Sequence, residues 1–77
     1  MKKLSDCPNG FLGTIAEVVG DFDRVHRLMD FGFNVGVPFE LLGQAPLGGP
    51  LLVHLNGVVI AIRKREAECI LINPRLP

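Results

Sequence analysis

The side chains in this chain that could do covalent chemistry are few: Ser5, Cys7, Thr14, Cys69, His26 and His54. Acyl transfer or hydrolysis needs a nucleophile, a base and an orienting group that converge. No spacing among these residues matches such a set, and Ser5 and Cys7 sit at the start of the chain, just before the turn residues Pro8-Asn9-Gly10. The expectation is a protein that is not an enzyme. Metal ligation draws on the same histidines and cysteines, with Asp21, Asp23 and Asp30 as carboxylate donors. Closely spaced ligand pairs of the CxxC or HxxxH kind are absent, as is an EF-hand loop, so no metal ligand is assigned. A site built from His26, His54 or Cys7, shared between subunits, stays open as an alternative.

Two further segments invite a binding role. Gly48-Gly49 could cradle a phosphate, but no Lys-Ser or Lys-Thr follows, and the glycines read as backbone devices. Arg63-Lys64-Arg65 is a basic triplet followed closely by Glu66 and Glu68, which favours a solvated turn able to steer a partner.

What must position these residues is small. With 77 residues the chain can build one core and reads as a single domain, residues 1–77. Eight basic and eight acidic side chains cancel, and Tyr and Trp are absent, so neither the positive field nor the stacking platform of a nucleic-acid binder is present. The longest apolar run, Val58 to Ile62, is far short of the ~18–20 residues that span a bilayer, and no signal-peptide core follows Lys2-Lys3. A cytoplasmic protein without membrane insertion is expected. Two distant cysteines suit reduced thiols, although a closed fold could bring them together. The hydrophobic fraction of 48% is high for so small a body, which points to apolar surface facing a partner or to scattered exposed side chains.

Thr14–Val19 is rich in β-branched residues and reads as a strand. Its Ile15/Val18 spacing breaks period-two alternation and predicts a bulge or burial on both faces. Asp21 or Asp23 can cap a short helix carrying Phe22, Val25, Leu28 and Met29, which Gly32 ends. From Val37 alternation returns, with Phe39 and Leu41 on one side and Leu42 on the other. PLGGP over residues 46–50 forms a rigid loop with Leu47 at its tip; Leu47 either folds back over the core or projects outward, the former being favoured. Leu51–Leu55, Asn56-Gly57 and Val58–Ile62 predict a hairpin. Arg63–Glu68 predicts a helical turn, and Cys69–Ile72 a last strand. Five short strands with one inserted helix imply a small, closed or nearly closed barrel.

Taken in order, Leu4, Gly10, Gly13-x-Ile15, the helix end Leu28-Met29-Asp30-Phe31-Gly32-Phe33, Gly36, Pro46-Leu47-Gly48-Gly49-Pro50, Gly57, Ile60-Ala61-Ile62 and Ala67-x-Cys69-Ile70 resemble the FeoA family over essentially the whole chain. Val35 departs from the pattern, since a proline often precedes the glycine matched by Gly36. The resemblance implies a mostly β, SH3-like five-stranded barrel with a short inserted helix, acting as a non-enzymatic cytoplasmic accessory to FeoB, the ferrous iron transporter. It also implies a link to Fe2+ or another transition metal, with no iron-binding residue transferred. The SH3-like domain of an iron-dependent repressor is similar, but Met1 and the lack of a helix-turn-helix segment favour a free-standing protein, for which homo-oligomers stay open. The expected docking surface gathers Met29, Phe31, Phe33, Leu42 and Leu47.

Overall fold

A computed structural model describes residues 1–75. Six strands form one antiparallel sheet, and their order is β1-β6-β2-β3-β4-β5. Along the chain run β1 (Lys2–Lys3), a 3₁₀ turn (Leu4–Asp6), β2 (Leu12–Val18), α1 (Phe22–Asp30), β3 (Pro38–Gln44), β4 (Leu51–Leu55), β5 (Val58–Ile62), α2 (Lys64–Ala67) and β6 (Ile70–Pro74). The sheet coils around its core without closing through hydrogen bonds, so β1 and β5 are edges. This corrects the five-stranded barrel by one strand, two residues long, that pairs Lys2 and Lys3 with Ile72 and Leu71.

The hairpin forms where expected because Asn56 and Gly57 take the two positive φ angles, 53° and 80°, that a two-residue turn requires. The bulge expected in the first strand is a register shift between Ile15 and Glu17 against β6. A second shift lies between Leu41 and Gly43 on β3, beside the outward-facing Leu42.

Helix α1 starts where the Asp21 carboxylate accepts a hydrogen bond from the Arg24 amide at 2.8 Å. Its end is a Schellman motif: Phe33 N–H donates to the Leu28 carbonyl at 3.1 Å and Gly32 N–H to Met29 at 3.0 Å. Gly32 is left-handed, at φ 111°. The turn drives Phe33 inward beside Leu28, and both are fully buried. The other apolar residues of α1 do not follow, and Phe22 lies on the surface with its ring 4.1 Å from that of His26.

The core is assembled from alternate positions of each strand: Ile15, Phe39 and Leu41, then Leu51, Val53 and Leu55, then Ile62, Ile70 and Ile72. Leu4 and Ala67 close one end, where the 3₁₀ turn meets α2. No charged or polar residue is buried among the described residues.

Candidate interaction surface

The residues able to do covalent chemistry stay apart. Ser5 Oγ has no hydrogen-bond partner, so no base touches it. His26 lies on α1 against Phe22, and His54 faces outward from β4 opposite Glu40 and Val59. No group of three or more His, Cys, Asp or Glu side chains suited to a metal forms among the described residues.

Both cysteines are free. Burial pushes the Cys7 thiol up from its ordinary value of 9.0; Lys2 pulls it partly back and Asp6 adds to the rise. The unfolded chain therefore loses this proton first as pH rises. The stabilising contribution is complete below about pH 9 and disappears as pH climbs to the raised folded value. Urea titrations at about pH 8 and about pH 10 should show a larger loss for the native protein than for Cys7→Ala. Equal losses would remove the assignment.

Of the expected docking residues, four are exposed and one is not. Phe33 is 0% exposed, because the Schellman turn places the third residue after the helix against the third from its end. That pairing of Leu28 with Phe33 was readable from Gly32 and identifies Phe33 as core. Met29 and Phe31 are half-exposed at the end of α1, and Leu42 is half-exposed at the β3 bulge. Leu52 on β4, also exposed, lies opposite Gly43 beside that bulge. Leu47 does not fold back: it is 104% exposed and holds φ at 60°. Its loop is pinned by Ala45 N–H to the Pro50 carbonyl at 2.9 Å and by Gln44 Nε2 to the Gly49 carbonyl at 3.1 Å.

A second set of residues emerges only in three dimensions. Arg24, Arg27 and Phe31 of the α1 region face Ala61, Arg63, Arg65 and Glu66 across one open groove. An adjoining groove is lined by Gly48, Gly49, Pro50, Arg63, Lys64, Arg65 and Glu68. Five of the eight cations of a chain with zero net charge thus share one side. Glu66, which cancels the basic triplet when read along the chain, is occupied internally. One carboxylate oxygen accepts from the Arg63 amide at 3.0 Å, and the other pairs with Arg27 at 2.7 Å.

A small coiled antiparallel sheet of short strands with a short inserted helix is the architecture of an SH3-like domain. The chain matches the FeoA domain over residues 2–74 and belongs to the FeoA family. It is similar to the FeoA protein of Chlorobium tepidum at 34% identity, with 95% of this chain and 70% of that one covered and a TM-score of 0.87. Against Stenotrophomonas maltophilia FeoA complexed with zinc, described as a prokaryotic SH3 domain protein and a candidate ferrous iron transport activating factor, identity is 26%, coverage 95% and 91%, and the TM-score 0.80. A manganese-dependent transcriptional repressor in complex with manganese shares the fold alone, at 18% identity over 96% of this chain and 36% of its own, with a TM-score of 0.89. No curated protein matches the chain.

Proposed function

We propose that this domain is a non-enzymatic cytoplasmic adaptor of ferrous iron uptake that docks on a FeoB-type transporter through its exposed apolar loop tip and the half-exposed residues Met29, Phe31 and Leu42. Leu47 carries the reading. A leucine held left-handed stores strain of order 1–3 kcal/mol, and its side chain lies wholly in solvent. Neither property helps a free domain fold. An apolar anchor on a rigid loop is instead the usual centre of a binding surface. The family membership and the description of the Stenotrophomonas relative as a candidate ferrous iron transport activating factor supply the transport context. No helix of the described residues is long and apolar enough to cross a membrane, which suits attachment through a partner.

Leu47→Asn separates folding from docking, because asparagine tolerates the left-handed region. The variant should be as stable as the native domain or more so, while its recovery with FeoB-containing membranes falls at least about tenfold, as for loss of a binding hot spot. Unchanged recovery of both Leu47→Asn and Met29→Asp would remove this surface.

A further inference from the structure

The groove lined by Arg24, Arg27, Phe31, Arg63, Arg65 and Glu66 meets β5 at Ala61, and Ala61 lies on an unpaired strand edge. β5 ends the sheet order. The two-residue turn makes Leu55 and Val58 a hydrogen-bonded pair, so bonded and non-bonded pairs alternate up the hairpin. Val59 opposite His54 and Ala61 opposite Leu52 are therefore non-bonded pairs, and their N–H and C=O groups point away from β4. No backbone group of another described element bonds to either residue.

Exposed edges are usually guarded by charges, proline, a bulge or shortness. β5 has none of these: its sequence is Val-Val-Ile-Ala-Ile, paired in continuous register. The opposite edge, β1, has two of them, being two residues long and both of them lysine. Beside the unguarded edge stand Phe31, Arg24 and Arg27 on one wall and Arg63 and Arg65 beyond the strand's end. Among these arginines, the one side-chain carboxylate partner is Glu66, on Arg27.

We propose that this groove binds an extended acidic segment of a partner protein, which adds to the sheet as a seventh strand along β5. The segment would exchange main-chain hydrogen bonds with Val59 and Ala61, lay an apolar side chain on Phe31, and place carboxylates against Arg24, Arg63 and Arg65. Strand addition of this kind takes affinity from the backbone and selectivity from the flanking side chains. Charge complementarity selects the occupant. A second copy pairing β5 with β5 would bring no acidic residue from either strand and would leave both arginine clusters unmatched. This inference is independent of the transporter as partner and shares only Phe31 with the Leu47 surface, so either can fail without the other.

The test is titration of the ¹⁵N-labelled domain with an acetylated peptide of alternating glutamate and valine, about ten residues long to span a strand of ordinary length. A lysine–valine peptide and sodium phosphate serve as controls. The glutamate peptide is expected to shift the Val59 and Ala61 amides, slow their hydrogen exchange, and bind at least about tenfold more weakly when salt rises to about 0.5 M. Ala61→Pro removes only an outward N–H, leaves the β4 ladder intact, and should abolish binding. Should that variant fail to fold, Arg24→Glu combined with Arg65→Glu decides, with loss of binding expected. The proposal is overturned by no shifts at millimolar peptide, by equal binding of the lysine peptide, by phosphate shifting the arginines without protection at Val59 and Ala61, or by the same protection appearing with protein concentration alone.

Discussion

Phe33→Ala should leave the domain largely unfolded or close to it, whereas Phe31→Ala, two residues away, should barely move its stability. Truncating a buried phenylalanine costs about 3–5 kcal/mol. A domain of this length holds roughly 4–12 kcal/mol in total. Phe33 is fully enclosed and packs where the helix end meets the sheet, while Phe31 is 45% exposed. Its loss should stay near the ±0.5 kcal/mol typical of surface substitutions. Urea midpoints of the two variants provide the measurement. Similar midpoints would mean that the helix end does not turn inward as described. The pair also guards the binding experiments, since a Phe33 variant that fails to bind reports unfolding, and a Phe31 variant that fails to bind reports the surface.

Gly13→Ala is the second large effect. A methyl group at Gly13 would lie 2.6 Å from the Asn73 carbonyl oxygen, 3.0 Å from the Phe11 ring and 3.1 Å from the Phe39 ring. The carbonyl belongs to β6, which pairs with β2 through Thr14 and Asn73, so it cannot retreat without opening the ladder. The two rings stack with centroids 6.3 Å apart and fill the remaining space. Overpacking of this kind costs about 1–3 kcal/mol, or more where backbone must move. The expected result is a urea midpoint well below the native one, with accelerated amide exchange along β2 and β6. A variant as stable as the native protein would show that β2 and β6 do not approach so closely.

The parts of the fold written in local chemistry were legible. Asn56-Gly57 announces its hairpin because few other residue pairs accept two positive φ angles. The broken alternation at Ile15 and Glu17 announces its bulge, and Asp21 with Gly32 brackets α1. Relations between distant segments were not legible. The pairing of Lys2 and Lys3 with β6 is too short to leave a pattern. Leu42 faces outward as alternation with Leu41 requires, but the bulge beside it leaves no mark in the sequence. Leu47 was expected to cover the core on grounds of solubility, yet the hydrogen bonds of its own loop hold it away. The basic groove was hidden most completely. Glu66 follows Arg65 in the chain but turns inward to bind the Arg63 amide and Arg27, and Arg24 arrives from a helix some forty positions earlier in the sequence. Charge summed along a short window takes no account of either rearrangement.

The inequality of the two sheet borders limits what a crowded solution of this protein can become. Fibrous growth needs each molecule to offer two compatible sides, one to receive a neighbour and one to pass the ladder on. Here one side is a pair of lysines and nothing more, so any ladder begun on the other side terminates after a single addition. An apolar, unguarded β5 is thereby tolerable at high concentration, and its pairing groups stay free for one guest at a time.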